Sequence, residues 1–268
     1  MTPSTVAARE LSVRTPGIDP ARFPGLRRYN LVAAAFHAAQ AVAVLALAND
    51  FAIPVTGTYL IGPPGSPGET VDIVDVAIGP AVAAFLALSA LFHLIVASPG
   101  FFRRYTAGLT EYRNYFRWVE YSLSSSLMIV LIAQITGITD VAALLALFGV
   151  NASMILFGWL QEKYQTPGDG GWLPFIFGCI AGIVPWLAIL VYVIAPGSTS
   201  GAEPPAFVYG IIVSLFLFFN VFALNQWLQY KPVGRFGDYL VGERAYITLS
   251  LVAKSALAWQ VFGGTLAA

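Results

Sequence analysis

Seven long apolar runs dominate this sequence of 268 residues and limit what it can fold into. Each is long enough to cross a hydrocarbon layer about 30 Å thick as a helix, which takes about 20 residues. Only 10% of the residues are charged, against about 25% in a soluble domain. The sequence therefore predicts an all-α membrane protein with a seven-helix bundle. The predicted spans are approximately residues 28–50, 74–97, 113–136, 140–162, 172–195, 206–230 and 240–264.

Residues 1–27 precede the first span and contain several arginines and prolines but no apolar run. A cleaved signal peptide needs such a run, so we expect a mostly extended N-terminal arm, followed by one membrane domain over residues 28–268. The single cysteine, Cys179, excludes an intrachain disulfide. Only two histidines are present, and a zinc site takes three or four ligands. We therefore expect no metal.

Patterns that mark other classes of protein do not occur in the sequence. It has no glycine-rich phosphate loop, no pattern typical of a catalytic triad and no basic patch suited to nucleic acid. We therefore expect neither enzymatic activity nor nucleic-acid binding.

The basic residues are distributed unevenly between the two ends of the predicted bundle. All fourteen except Lys254 fall in the N-terminal arm or in and beside the second, fourth and sixth connections. Loops rich in lysine and arginine remain in the cytoplasm. The sequence therefore predicts a multi-pass protein of the plasma membrane with a cytoplasmic N-terminus and an extracellular C-terminus.

The first connection, residues 51–73, is the only long one. Its segments 55–61 and 69–74 are rich in residues that favour strands, and they flank a Gly- and Pro-rich turn over 62–68. This pattern predicts an extracellular β-hairpin.

Two charged residues lie deep inside the apolar runs, away from their ends. Lys254 lies in the middle of the seventh span, and Glu120 lies about one-third of the way through the third. Burying one such charge costs at least about 2.5–3.5 kcal/mol, so we expect the two to face each other. One interpretation is a structural clamp between helices, although desolvation largely offsets the attraction in a buried ion pair. The other is that Lys254 forms a Schiff base with an aldehyde and Glu120 is its counterion.

Two segments resemble a known family. The string from Arg117 to Ser126 around Glu120, and the string from Ser250 to Gln260 around Lys254, are similar to the counterion and lysine segments of heliorhodopsins. These are seven-helix, rhodopsin-like retinal proteins with inverted topology, in agreement with the predicted cytoplasmic N-terminus. The resemblance covers the chain from about residue 28, including the hairpin.

The resemblance implies a light-sensing photoreceptor with all-trans retinal bound covalently to Lys254. It also implies a homodimer in membrane lipid and an unknown cytoplasmic signalling partner. It assigns Schiff-base neighbours (Ser124, Ser250, Tyr121), a proton-holding cluster (His37, His93, Gln40, Ser89), retinal-pocket walls (Asn151, Met154, Ile155, Trp186, Phe219, Gln226) and cytoplasmic polar residues (Arg117, Glu162, Tyr239, Glu243).

Some of these assignments have simpler alternatives. His37 and His93 each have the simpler interpretation of a hydrogen-bonding residue between helices. Of the four phenylalanines within 216–222, only Phe219 is assigned to the pocket, because four positions in seven cannot all face inward. Gly178 and Gly182 either permit close helix contact or leave room for the ring of retinal.

Three functions remain open: a light sensor, a light-driven ion pump or channel, and a retinal-free protein in which Lys254 and Glu120 only clamp helices. In proton-pumping rhodopsins an aspartate typically lies four residues before the lysine, and a further carboxylate lies about three turns along the third helix. Ser250 and Leu131 occupy those places here. A proton pump needs a relay of titratable groups, and we expect no second acid at depth. The sequence therefore favours the sensor.

Overall fold

The computed structural model describes residues 18–194 and 204–266. Within these ranges, seven helices are long and apolar enough to cross a membrane, as predicted. The first 17 residues of the predicted arm, the connection over residues 195–203 and the last two residues lie outside the described residues. The elements are α1 (Phe23–Leu47), β1 (Ala52–Leu60), β2 (Gly68–Ala77), α2 (Ile78–Ala97), α3 (Pro99–Thr110), α4 (Tyr115–Ile135), α5 (Val141–Tyr164), α6 (Leu173–Ile194), α7 (Ala206–Tyr230) and α8 (Tyr239–Val261).

Several helices begin at residues whose side chains satisfy the free backbone N–H groups of the first turn. Asn114 accepts from the backbone of Arg117 at the start of α4, and Asp140 caps α5 in the same way. The short break between α4 and α5 also contains Gly137, whose φ of 98° is in the left-handed region that favours glycine. Gly137 and Asp140 therefore separate two spans that are almost continuous in sequence.

Helix α3 was not predicted, because its 12 residues are too few and too polar to give the signal of a span. It begins at Pro99 and is amphipathic. Tyr105 and Leu109 are buried against α1, α2 and α8, whereas Arg103 and Arg104 are exposed. The connection between the second and third spans is therefore an ordered helix at one end of the bundle, which we call the basic end.

The predicted hairpin is present at the opposite end, which we call the hairpin end. Strands β1 and β2 pair antiparallel with an irregularity between Val55 and Thr56. Both strands are longer than predicted, so α2 begins at Ile78 rather than near residue 74. The backbone N–H of Thr56 donates to the carbonyl of Thr139 at 2.9 Å, which fixes the hairpin to the start of α5.

Candidate functional site

Lys254 and Glu120 form a buried ion pair in the interior of the bundle. Lys254 Nζ lies 2.7 Å from Glu120 Oε1, and the two residues are 3% and 4% exposed. Nζ also donates to Ser89 Oγ at 2.6 Å and to Ser250 Oγ at 3.0 Å. An ammonium group has three donors, so these three oxygens, from α2, α4 and α8, satisfy it completely.

The local sequence explains why these groups meet. Ser250 precedes Lys254 by one helical turn, so both lie on the same face of α8. Tyr121 follows Glu120 in the sequence. The centroid of its ring lies 5.1 Å from Lys254 Nζ, within range of a cation–π contact. Its hydroxyl donates to the carbonyl of Tyr246 at 2.9 Å, which ties α4 to α8 beside the ion pair.

Ser89 and Ser124 differ in how they contact the ion pair. Ser89 was assigned to the proton-holding cluster, but its hydroxyl contacts Lys254 and also Glu120 Oε1 at 2.7 Å. Ser124 was assigned as a neighbour of Lys254. It lines the same cavity as Lys254, but its buried hydroxyl has no hydrogen-bond partner among the described residues. Sequence spacing placed Ser124 one turn from Glu120, but this spacing does not determine what lies opposite its face.

A cavity of about 170 Å³, which we call the large cavity, extends from Lys254 into an apolar interior. The predicted wall residues Met154, Ile155, Trp186, Phe219 and Gln226 all line it.

Asn151 is the exception among the predicted pocket residues, because it does not line the large cavity. Its amide donates to Ser125 Oγ and Ser126 Oγ at 2.9 and 3.0 Å, which places it behind the wall between α4 and α5.

Five aromatic residues that had no predicted role also line the large cavity: Trp118, Phe175, Phe216, Phe222 and Tyr246. Phe218 does not line the cavity, so the four phenylalanines within 216–222 do not all face it, as predicted. Assigning only Phe219 to the pocket was too narrow, because Phe216 and Phe222 line it as well. The cavity is wide enough to contact a broad face of α7. The Trp186 ring packs edge-on against Phe216 and Phe219, with centroids 5.4 Å away in both cases.

Gly178 and Gly182 line the large cavity and also lie close to α5. A Cβ atom at Gly182 would lie 2.4 Å from Met154 Sδ, and one at Gly178 would lie 3.3 Å from Phe157 Cβ. The glycines therefore permit close contact with α5, as the first alternative predicted, and they also form part of the cavity wall.

The large cavity opens toward the lipid-facing surface between α6 and α7. Its exposed lining residues all lie on these two helices: Cys179, Ile183, Phe216 and Asn220. The remaining wall is buried or half-buried.

The two histidines lie together on the basic-end side of the ion pair. Their rings stack with centroids 5.6 Å apart and planes 13° apart. His93 Nδ1 is hydrogen bonded to Asn30 at 2.8 Å, whereas neither ring nitrogen of His37 has a partner among the described residues. Gln40, assigned to the same cluster, instead accepts from Trp259 Nε1 at 3.1 Å. Asn30 was missed, although it precedes His37 by two helical turns on one face.

Arg117, Glu162 and Glu243 form a second buried charged group, which we call the arginine cluster. The guanidinium donates from Nη2 to Glu162 and from Nη1 to Glu243, and all three residues are buried. Asn114 donates its backbone N–H to Glu162 at 2.8 Å and its amide to Glu243 at 2.7 Å. Both acids lie near helix ends in sequence, so their burial was not predicted.

Aromatic donors complete the arginine cluster. Trp118 Nε1 and the Tyr239 hydroxyl donate to Glu162 at 2.6 and 3.2 Å. The Tyr105 hydroxyl of α3 donates to Glu243 at 2.9 Å. Burial raises the pKa of Tyr105, which lies outside the spans, well above its ordinary value, and the charge of Glu243 adds to this effect. The phenol therefore stays protonated and remains a donor.

A smaller cavity of about 40 Å³ separates the ion pair from the arginine cluster. Its lining includes Ser89 and Glu120 of the ion-pair site, Arg117 and Glu243 of the arginine cluster, and His93. One water molecule needs at least about 10–15 Å³, so this polar space is large enough to hold water. The ion pair and the arginine cluster therefore border one shared cavity.

The site pairs a mid-membrane lysine of the last spanning helix with a glutamate of the third spanning helix, at the wall of an apolar cavity. This combination defines a rhodopsin-type membrane protein. A solved structure with this fold is the transmembrane domain of Salpingoeca rosetta rhodopsin phosphodiesterase, which aligns with a TM-score of 0.63. The alignment covers 98% of this chain and 88% of that chain at 12% identity, so it shows the fold alone. The family model for heliorhodopsin matches residues 26–266, and the chain belongs to the heliorhodopsin family.

Family membership makes the protein a retinal-binding rhodopsin of the photoreceptor type, in a family that carries its chromophore on a lysine and is generally not enzymatic. No curated protein matches the chain.

Proposed function

We propose that the protein senses light through all-trans retinal bound to Lys254 as a protonated Schiff base, with Glu120 as the counterion. The contact of 2.7 Å between Lys254 Nζ and Glu120, at the wall of an apolar cavity, is the observation that carries this proposal. When bound, retinal supplies a light-driven isomerisation that changes the surroundings of the nitrogen.

The two charged groups of the bundle differ in a way that supports this role for Lys254. Arg117 is paired with Glu162 and Glu243 and contacts aromatic rings, as expected of a structural ion pair. Lys254 is satisfied by oxygens on one side but borders the large cavity on the other. A clamp between α4 and α8 requires no such space, whereas a lysine that carries a chromophore does.

The lining of the large cavity fits a long apolar aldehyde. Aromatic and aliphatic side chains dominate the wall, and Gly158, Gly178 and Gly182 reduce its bulk. Ligand pockets typically combine such a wall with a few well-placed polar groups. Lys254 and Ser250 supply those groups here.

The positions of the buried acids support a proton that stays inside the protein. Among the described residues the buried carboxylates are Glu120, Glu162 and Glu243. The last two are buried although they lie near helix ends, and they lie on the basic-end side of Lys254. We propose that a proton leaving Lys254 moves to Glu120 or into the small cavity, is held in the basic half beside His37 and His93, and then returns without net transport.

We also propose how the protein is oriented in the membrane and how two copies of it associate. The basic end is cytoplasmic, by the distribution of lysine and arginine, so the protein signals to an unidentified cytoplasmic partner. Two copies associate through the hairpin, whose tip exposes Tyr59, Leu60 and Ile61 to more than half of their full area.

A transport measurement separates the sensor from the pump. Proteoliposomes with retinal-loaded protein are illuminated in unbuffered medium, with and without a protonophore, while a flash experiment follows the visible band. We expect a transient blue-shifted species and no change in external pH. A light-induced pH change that the protonophore abolishes would establish transport instead.

A further inference from the structure

Trp118 lines the large cavity and is also hydrogen bonded to the arginine cluster. Its ring lines the cavity, and its Nε1 donates to Glu162 Oε2 at 2.6 Å. The ring is also held closely by α5, because a Cβ atom at Gly158 would lie 2.5 Å from Trp118 Cζ3. The ring therefore has little free space toward α5, and a displacement of it changes its hydrogen bond to Glu162.

Tyr246 makes a second link of the same kind. It lines the large cavity, and the Arg117 guanidinium carbon lies 3.9 Å from its ring centroid. Trp118 and Tyr246 pack edge-on with centroids 6.0 Å apart. Two adjacent aromatic walls of the cavity are therefore both held by the arginine cluster.

The other side of the cluster reaches the basic end through α3. Glu243 accepts from Tyr105, which is 2% exposed, whereas Arg103 and Arg104 on the same helix are exposed. Tyr105 also lines the small cavity together with Arg117 and Glu243. A continuous set of contacts therefore joins the large cavity to a helix at the end of the bundle.

The cluster cannot absorb a small displacement without rearranging. Donors from this chain contact all four oxygens of its two carboxylates. Removing one donor leaves a buried charged group short of a hydrogen bond, which is costly because no bulk water replaces it. Buried polar networks of this kind shift between discrete arrangements rather than deforming gradually.

We propose that the arginine cluster couples the retinal cavity to α3: displacement of Trp118 and Tyr246 after light absorption moves the cluster, and Tyr105 transmits this movement to α3. This inference rests on the proposed light-sensing function. Trp118 and Tyr105 are positioning residues in this scheme, and neither reacts chemically. The competing explanation is a cluster that only holds the helices together and stays fixed during illumination.

The test is a fluorescent reporter on α3 of the full chain loaded with retinal. Arg104→Cys is labelled with a charged, water-soluble thiol reagent, and the parent protein, whose only cysteine is Cys179 within α6, measures background labelling. A flash should change the fluorescence with the time course of the blue-shifted species. Adding Tyr105→Phe should reduce this change by about fivefold or more while the visible band and its photocycle remain.

Two further variants complete the test. Tyr29→Phe removes a hydroxyl that pairs with Thr248 on α8, outside the arginine cluster, and should keep the full reporter signal. Trp118→Phe keeps an aromatic ring but loses the N–H, and should reduce the signal and shift the visible band. A full signal in both Tyr105→Phe and Trp118→Phe, or an equal loss in Tyr29→Phe, would overturn the coupling. A parent protein without a visible photocycle would contradict the proposed function instead.

Discussion

Ser89 of α2 and Lys254 of α8, far apart in sequence, meet at 2.6 Å beside Glu120. The serine hydroxyl also contacts Glu120 Oε1, so it bridges the two members of the ion pair. A hydrogen bond to a charged group contributes about 1.5–3 kcal/mol. Ser89 therefore helps to determine how firmly the nitrogen of Lys254 holds its proton.

Ser89→Ala should weaken the protonated form of the retinal linkage. We expect the visible band to be lost at a lower pH than in the wild type, by roughly one to two pH units if the full hydrogen-bond energy is lost. Spectra recorded during a pH titration measure this. Ser124→Ala is the matched control, because Ser124 is equally buried but bonds to nothing among the described residues. Equal effects in the two variants would show that Ser89 has no special part.

Glu120→Gln should remove the counterion while keeping the shape of the side chain. Without a negative partner the protonated linkage is less stable, so the band should move to the near-ultraviolet, or by a smaller amount if an anion from solution substitutes. Glu243→Gln removes a buried carboxylate that does not contact Lys254, and it should keep the pH dependence of the wild-type band. An unchanged spectrum across pH in Glu120→Gln would place the counterion elsewhere.

Replacing the histidines should change how long the proton is held. His93 lines the small cavity next to Glu120 and stacks on His37. His93→Phe keeps a ring for stacking but removes both nitrogens, so the decay of the blue-shifted species should change, and the double variant with His37→Ala should change it further. Flash spectroscopy follows this decay. Wild-type kinetics in the double variant would exclude both histidines from proton storage.

Arg117→Gln should strongly destabilise the protein, because it leaves two buried carboxylates without their shared cation. Removing one partner of a buried ion pair typically costs about 3–5 kcal/mol. The rate at which the visible band is lost on heating measures the effect. Arg22→Gln removes the partly exposed pair with Asp238, and such surface pairs contribute about 0–1 kcal/mol. Comparable losses in the two variants would mean that the arginine cluster is not a stability element.

Deleting residues 62–67 at the hairpin tip should weaken the dimer. The adjoining strand ends expose Leu60 and Ile61, and we expect this apolar surface to be buried between two copies. Size-exclusion chromatography with light scattering in mild detergent reports the change, and Ser66→Ala, which keeps the loop length, serves as the control. A monomeric wild type in lipid nanodiscs would contradict the proposed dimer.

Features that depend on span length or on charge inside apolar runs were predictable from the sequence. The seven spans follow from membrane thickness, and Lys254 and Glu120 stand out because few charges occur at that depth. Helix α3 was missed because a short amphipathic surface helix lacks both signals.

Features that depend on tertiary contacts were not predictable in the same way. Glu162 and Glu243 lie near helix ends, and only the packing of α4, α5 and α8 around Arg117 buries them. The position of Asn151 behind the cavity wall also depends on its contacts with Ser125 and Ser126. Hydrophobic periodicity in the sequence predicts neither the burial of the two acids nor the contacts of Asn151.

The attachment of retinal to Lys254 is tested most directly by an absorption spectrum of the protein expressed with and without all-trans retinal, beside Lys254→Ala. We predict a visible band only in the wild type supplied with retinal. In Lys254→Ala the band should be absent, because no other lysine lies among the buried residues of the described chain. A Lys254→Ala protein that still binds retinal with the same red-shifted band would contradict the attachment of retinal to Lys254.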